Sequence, residues 1–308
     1  MNFQHDRTAT RANARVALVT CSTIPDLEAD DRLVLPPLAA RGVTVEPVVW
    51  DAEGVDWGGY DLAVLRSPWD YVPRRDEFVA WAGSVPALAN PADTIAWNTD
   101  KGYLAGLAAA GVPTVATDWV RPGDDWTPPE VGEYVIKPAV SAGSKDTGRY
   151  DFSAPETAAE HRRLAVDHVA RLQAAQRLVM VQPYLEAVDT YGETALLFFA
   201  GPDGLAFSHA IRKGPMLTGP DQGVDDLYLA EKITPRTPSE AEQAVARQVL
   251  AAVPGGAERL LYARVDLIPG PDGTPVLVEL ELTEPSLFLG YADGAAERFA
   301  DAIVARLP

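Results

Sequence analysis

The stretch Tyr262-Ala263-Arg264-Val265-Asp266, answered by Val278-Glu279-Leu280-Glu281-Leu282-Thr283, decides how this chain is read. Both segments alternate with the period of two that marks a half-buried strand. Val276, Val278, Leu280 and Leu282 then line one face and Glu279, Glu281 and Thr283 the other. The intervening Pro269-Gly270-Pro271-Asp272-Gly273 is turn chemistry, and Asp-Gly is a strong two-residue hairpin signal. With Asp272-Gly273 at the tip, Asp266 faces Glu279 and Arg264 faces Glu281; the prolines leave room for a slip of one residue. Like charges directly opposite each other destabilise a sheet, so the acidic pair calls for a compensating cation. Asp266, Glu279 and Glu281 offer oxygen alone, with no Cys or His among them, which suits a hard ion such as magnesium. A solvated acidic strand face accounts for the same residues, and the hairpin alone leaves both readings open.

A chain of 308 residues is long enough for two or three domains with a substantial core. Its 47% hydrophobic and 23% charged content is that of a soluble globular protein. The net charge of −18, from 26 Lys+Arg against 44 Asp+Glu, argues against a sequence-independent grip on nucleic acid. An anionic small ligand held by a few placed cations stays compatible with it. No apolar run approaches a membrane span and no signal peptide is evident; residues 1–15 read as a loose polar tail. The single cysteine, Cys21, excludes an intramolecular disulfide framework and points to a reducing cytoplasm. It follows the apolar run Val16-Ala17-Leu18-Val19, as a buried structural thiol would. His5, His161, His168 and His209 lack metal-ligand spacing, and the middle two fall on a polar helix.

The N-terminal part alternates strand and helix signals: strands over residues 14–21, 43–50 and 61–66, helices over 30–41 and 76–83. This rhythm predicts a small parallel sheet covered by helices. Its strand ends, Cys21-Ser22-Thr23 and Arg66-Ser67-Pro68-Trp69-Asp70, then lie where such sheets bind ligands. No GxGxxG follows the first strand, so dinucleotide binding has no support. Asn98-Thr99-Asp100 opens a helix over residues 101–110, closed by Gly111 and Pro113. Further strands are expected over 115–120, 133–137, 178–182, 194–200 and 205–211, and helices over 158–175, 238–252 and 292–307. Residues 141–149 and 213–226, rich in Gly, Pro and Asp, read as loops.

Four more features bear on the hairpin. Val135-Ile136-Lys137-Pro138 ends a strand and precedes Ser141-Ala142-Gly143-Ser144-Lys145-Asp146-Thr147-Gly148, whose small residues let backbone amides approach an anion. It is not a Walker A sequence, and a flexible surface loop is the plainer reading of it alone. Lys101 falls in the first turn of its helix, against the dipole, a conflict resolved if both hold phosphate. Val181-Gln182-Pro183-Tyr184-Leu185 leaves a strand with backbone groups beside apolar side chains, as an adenine slot or as ordinary core. Arg212 and Lys213 end a strand and face an anion-sized gap or solvent.

Taken in order, these motifs resemble the ATP-grasp ligase superfamily, including glutathione synthetases and D-alanine–D-alanine ligases. The likeness runs from about Lys101 to Ser286, closing on Arg264-Val265-Asp266 and Glu279-Leu280-Glu281-Leu282-Thr283-Glu284-Pro285-Ser286. It implies an α/β and α+β architecture: a pre-grasp βα domain over residues 1–97 and two α+β subdomains, 98–183 and 184–308, sandwiching ATP. By resemblance, Lys101 and Lys137 hold the α- and β-phosphates, with Ser141, Gly143 and Ser144 in the loop that closes over them. Gln182, Tyr184 and Leu185 frame the adenine and Glu193 the ribose. Arg264, with Arg212 and Lys213, neutralises charge as phosphate moves, and Asp266, Glu279 and Glu281 carry Mg2+. The family usually has Asn where Glu281 stands, which puts the coordination in doubt.

Substrate identity is expected in Arg66 and Asp70, which suit a carboxylate and an ammonium, and in Thr283, Glu284 and Ser286. A structural turn with Trp69 packed beneath it is the alternative for the first pair. Within the superfamily the pattern from Val19-Thr20-Cys21 to Pro285-Ser286 looks most like the cycloserine-forming cyclo-ligases. That implies ATP-dependent activation of the carboxylate of a small amino-acid-like substrate, followed by attack of the substrate's own nitrogen. An intermolecular ligase of the same fold and a non-enzymatic ATP-binding module are the alternatives. The resemblance leaves a homo-oligomer open, as in many relatives.

Overall fold

The computed structural model describes residues 14–221 and 232–308. Most of the expected N-terminal tail and the end of the expected 213–226 loop lie outside them. Residues of the first strand, Arg15–Thr20, are apolar on both faces and centre a parallel sheet in the order Thr44–Val49, Arg15–Thr20, Leu62–Ser67, Leu88–Ala89. Such two-sided burial is what a parallel sheet requires. Val16 and Leu18 enter one core with Leu38 and Phe299, while Ala17 and Val19 enter another with Trp50 and Phe78.

The second sheet is antiparallel, in the order Asp118–Val120, Val179–Pro183, Glu133–Pro138, Gly148–Asp151. The helix Ala158–Ala174 covers it with Ala165, Val169 and Leu172, one helical stripe. The strand Gly148–Asp151 takes up Gly148 and Arg149, the last two residues of the expected 141–149 loop. Gly148 needs its missing side chain, because a Cβ there would stand 2.6 Å from the Asp221 nitrogen and 2.7 Å from the Tyr150 hydroxyl.

The third sheet, also antiparallel, runs Ile233–Arg236, Gly204–Lys213, Glu193–Gly201, Tyr262–Pro269, Pro275–Glu281. The helix Glu240–Ala251 packs on one face through Val249 and Leu250, beside Leu196, Phe198 and Val265. It is opened by a capping box in which the Ser239 side chain accepts from the Glu242 N–H and Glu242 accepts from the Ser239 N–H. On the other face, Leu197, Phe199 and Tyr262 meet Phe299 and Ile303 of the helix Ala295–Ala305. That last helix shares its core with Val16 and Leu18, so the first and third sheets are joined by one apolar cluster.

Two expectations change in ways that matter for the site. The hairpin pairs Asp266 with Glu279 and Arg264 with Glu281, as expected, but Leu267 pairs with Leu277. A one-residue slip arises at a wider turn, where Gly270 and Thr274 are bridged by a 2.7 Å bond, and is absorbed by a bulge beyond Asp266. Leu277 is therefore buried in place of Val278, which turns toward a cavity. Lys101 is not in a helical first turn. The Asp100 carboxylate accepts from the Gly102 N–H at 2.8 Å, making a local turn, and the helix begins at Tyr103 (Tyr103–Ala109). A preceding helix, Ala92–Asn98, was not foreseen.

Candidate active site

A cavity of about 470 Å³ lies between the second and third sheets and the end of the first. Its volume suits a small-molecule site. Lys101, Lys137 and Lys213 converge on it. The Lys101 ammonium donates to the Ser141 carbonyl at 2.8 Å and stands 3.0 Å from Glu279. Lys213 donates to Asp266 at 2.7 Å and pairs with Glu193. Burial pushes the Lys137 ammonium below its ordinary value, and the nearby Lys101 and Lys213 add to this while Glu279 and Glu193 oppose it. Three cations gathered in one buried place are expensive without anions, and Glu279, Glu193 and Asp266 stand beside them.

The hairpin supplies those carboxylates. Arg264 holds Asp266 with bonds of 2.9–3.1 Å and also reaches Glu281. Burial opposes ionisation of Asp266, but Arg264 and Lys213 outweigh it and hold the group well below the usual carboxylate range. Glu279 is likewise lowered: Lys101 and Lys137 overcome its burial. Glu281 goes the other way, lifted to about 8 by burial and by the charges of Glu279 and Asp266 despite Arg264. Among the described residues, no three acidic, His or Cys side chains converge tightly enough to hold a metal ion. Arg264 and Lys213 cap Asp266, while Glu279 and Glu281 face the cavity. The donor set nonetheless fits a hard cation: it is oxygen alone, and the mutual repulsion that lifts Glu281 is what such an ion relieves.

The small-residue loop frames the same space. Ser141, Gly143 and Ser144 line the cavity, and Gly143, Ser144 and Asp146 have positive φ of 61°, 59° and 54°. Successive amides turned this way form an anion-binding concavity. Asp146 is tied down by Arg171 and Arg177. The apolar wall contains Leu185, Val188, Met216 and Leu217 beside Tyr184. Gln182 also lines it, its amide donating to the Thr117 hydroxyl at 2.9 Å, and Arg149 lies 3.5 Å from the Tyr184 ring centre. Glu193, expected at a ribose, is paired with Lys213 and lifted by burial to about 7.

A second group of lining residues is acidic and aromatic: Glu28, Trp69, Tyr71, Glu284, Ser286 and Phe288. Burial raises Glu284 to about 7, against the hydrogen bond it accepts from Tyr71. Trp69 donates to the Glu284 carbonyl at 3.1 Å. Leu27 and Phe288 are held with φ of 67° and 50°, left-handed for non-glycine residues. Strain of that kind persists where surrounding structure enforces it. Here Asp30 accepts from the Leu289 and Gly290 amides at 2.7 and 2.8 Å, locking the two segments together. Glu28, Trp69, Tyr71 and Phe288 went unassigned in the sequence. Only the pair Trp69 and Tyr71 carried a signal, alternating through a strand-end cluster already singled out.

Four expected residues stand elsewhere. Arg66 is fully buried, bonded to Asp31 at 3.0 Å and to the Pro285 carbonyl at 2.5 Å, and does not line the cavity. Asp70 accepts from the Trp50 indole at 2.8 Å, outside the lining. Arg212 and Lys213 are adjacent on a strand and so point to opposite faces. Arg212 braces the Thr190 and Tyr191 carbonyls while Lys213 faces the cavity. Thr283 is buried, its hydroxyl 3.2 Å from the Asn98 side-chain oxygen.

Comparison with known proteins places this geometry. Over 307 residues, 95% of this chain and 98% of the relative, the sequence is 39% identical to the cycloserine biosynthesis protein DcsG of Streptomyces lavendulae. The chain belongs to the D-cycloserine synthetase family. The family description for the N-terminal domain of D-cycloserine synthetase DcsG matches residues 16–93. The crystal structure of D-cycloserine synthetase DcsG superposes with a TM-score of 0.82 and 37% identity, covering 96% of this chain and all 100% of that one. A RimK domain ATP-grasp protein from Sphaerobacter thermophilus superposes at 0.61 with 17% identity, over 94% of this chain and 99% of the other. That likeness concerns the fold, which is ATP-grasp. Among the described residues, no helix is long and apolar enough to cross a membrane.

Proposed function

We propose that this family member is an ATP-dependent carbon–nitrogen cyclo-ligase that closes the ring of D-cycloserine from O-ureido-D-serine. One observation carries the reading: a single cavity gathers Lys101, Lys137, Lys213 and a small-residue loop, and beside them an acidic and aromatic group led by Glu28 and Glu284. Arg264 touches both groups, through Asp266 and through the Ser286 carbonyl. The first suits a triphosphate, the second an ammonium-bearing amino acid.

In this reading Lys101 and Lys137, with Ser141, Gly143 and Ser144, grip the phosphates. Gln182, Tyr184 and Leu185 frame the adenine, and Glu193 the ribose. Asp266, Glu279 and Glu281 are the residues that would hold magnesium, which supplies charge neutralisation on phosphate oxygens. The substrate carboxylate attacks the γ-phosphorus, releasing ADP and forming an acyl phosphate. Phosphoryl transfer asks the protein mainly for positioning and electrostatics, which Arg264 and the lysines provide. The ureido nitrogen bound to oxygen then attacks the acyl carbon, expelling phosphate and closing the ring. The carbamoyl group leaves with water as carbon dioxide and ammonia. Glu284 and Glu28 receive the ammonium, with Ser286 beside them. A closed loop keeps water from the acyl phosphate. The three units, residues 1–97, 98–183 and 184–308, and a cytoplasmic site of action around a single reduced Cys21, complete the proposal.

The test is ADP release with O-ureido-D-serine as sole amino-acid substrate, and identification of the product by mass. Turnover without added amine supports cyclisation. An obligatory second amine indicates intermolecular ligation, and ATP binding without substrate-stimulated phosphate release indicates a non-enzymatic module.

A further inference from the structure

Among the described residues, the strand that carries Glu279 and Glu281, Pro275–Glu281, is the last in its sheet and pairs with a full strand on one side only. A free edge leaves alternate backbone N–H and C=O groups without ladder partners, and buried groups of this kind need partners. Nearest the turn, the Leu277 N–H donates to the Pro113 carbonyl at 2.8 Å and its carbonyl accepts from Val115 at 3.2 Å. Beside the carboxylates, among the described residues, side chains take the place of such backbone. The Leu280 N–H donates to the Tyr103 hydroxyl at 2.9 Å, and the Leu280 carbonyl accepts from that hydroxyl at 2.8 Å. The Asn98 amide donates to the Leu280 carbonyl at 2.8 Å and accepts from the Leu282 N–H at 2.7 Å. Asn98 and Tyr103 are both buried.

Asn98 thus presents one donor and one acceptor in the order a neighbouring strand would, and Tyr103 supplies the rest with a single hydroxyl. Together they fix Leu280, which lies between the two carboxylate residues, and Leu282, just past the second. The same short segment carries Lys101, whose ammonium meets Glu279 at 3.0 Å. We propose that Asn98 and Tyr103 are positioning residues of the reaction: they act as a side-chain substitute for a missing strand and set where Glu279 and Glu281 present their oxygens to the metal–nucleotide. Tyr103 spends its hydrogen bonds on the backbone, and Asn98 spends its own on the backbone and on the Thr283 hydroxyl. This inference rests on Glu279 and Glu281 serving the metal–nucleotide.

Tyr103→Phe removes one oxygen at constant shape, and Asn98→Asp keeps the acceptor for Leu282 while losing the donor to Leu280. Each is compared with the parent protein and with Glu279→Gln by calorimetric titration of ATP at stepped magnesium concentrations without amino-acid substrate, alongside kcat, KM and the thermal midpoint. Loss of groups that orient metal ligands costs about 10–100-fold in metal affinity or activity. The expected result is a shift of that size in the magnesium needed for tight ATP binding and in kcat, with the KM for amino-acid substrate within about twofold. A lowered thermal midpoint with unchanged magnesium dependence and kcat in either variant that folds overturns the inference and leaves a purely structural brace. If Glu279→Gln also leaves the magnesium dependence unmoved, the carboxylate assignment itself fails. If Glu279→Gln abolishes it while both other variants match the parent, the positioning inference alone fails.

Discussion

Two strands in this molecule carry a buried arginine paired with a carboxylate, and the two arginines differ in access. At the end of Leu62–Ser67, Arg66 is buried beside the rings of Tyr262 and Phe299, 5.1 and 5.4 Å from its guanidinium, and bonded to Asp31. In Tyr262–Pro269, Arg264 is bonded to Asp266 and Glu281 but still lines the cavity. Chemistry at the two places is nearly the same; access is not. Arg66 ties the first sheet to the segment after the hairpin, through the Pro285 carbonyl. Arg264 sits beside Asp266 and Glu281 at the cavity wall, where an incoming anion can share its charge. What separates the two buried ion pairs is that one side of the Arg264 pair stays open to the cavity.

The sharpest way to break that comparison is to neutralise one member of each pair. Glu279→Gln should lower kcat by about 10³-fold, the upper range for removing one preorganised electrostatic group, while the thermal midpoint stays near that of the parent. Full activity would remove the hairpin from the reaction. Arg66→Met should do the reverse. It leaves Asp31 buried and unpaired, a loss of about 3–5 kcal/mol in urea unfolding, with ATP and magnesium dependence intact at permissive temperature. Burial already raises Asp31 despite Arg66. Without Arg66 the group favours its proton still more, so the deficit should shrink as pH falls toward the ordinary carboxylate value. A deficit unchanged with pH, or altered nucleotide affinity, would put Arg66 back in the site.

The contrast was half visible in the sequence. Alternation and Asp-Gly chemistry located the hairpin and its pairing at Asp266 and Glu279, because both are local. The prolines signalled a possible slip of one residue but not its place: a bulge beyond Asp266 moves Val278 to the cavity and Leu277 to the core without disturbing the pairs at the site. Arg66 was misread because its partners, Asp31, Tyr262, Pro285 and Phe299, come from distant parts of the chain. Arg212 was a failure of a local rule, since strand alternation alone separates it from Lys213. Glu28 had no readable signal; a left-handed Leu27 and the Asp30 clamp on Leu289 and Gly290 bring it to the cavity. The lysines were recognised through their order along the chain, while burial decides what their charge costs.

A smaller effect separates the cavity's acidic group from its cationic one. Glu284 is lifted to about 7 by burial, whereas Arg264 and Lys213 hold Asp266 far below its usual range. Below pH 7 Glu284 is mostly neutral and cannot balance an ammonium. The KM for the amino-acid substrate should therefore fall as pH rises toward 7, by about tenfold per unit at the acid limit, and flatten above it. Glu284→Gln should erase that limb. On stability the two groups have opposite signs. Glu284 keeps its proton in the fold where the unfolded chain has lost it, so its contribution worsens as pH rises from about 4.3 to 7. Asp266 contributes fully above its ordinary value of about 3.9 and loses that as pH falls below it. A KM profile flat through pH 7 in the parent protein would detach Glu284 from the substrate.

The smallest effect belongs to Asp70, beside Arg66 at the same strand end. Its carboxylate accepts from the Trp50 indole and lies 3.7 Å from Arg74, a partly exposed pair. Asp70→Asn keeps an oxygen for the indole and gives up only the ion pair, so stability should change by less than about 1 kcal/mol. Its KM for the amino-acid substrate should match the parent at every pH, because the side chain does not reach the cavity. A rise in KM confined to Asp70→Asn would mean that this strand end opens to the ligand after all, and the distinction between a sealed and an open ion pair would lose its clearest case.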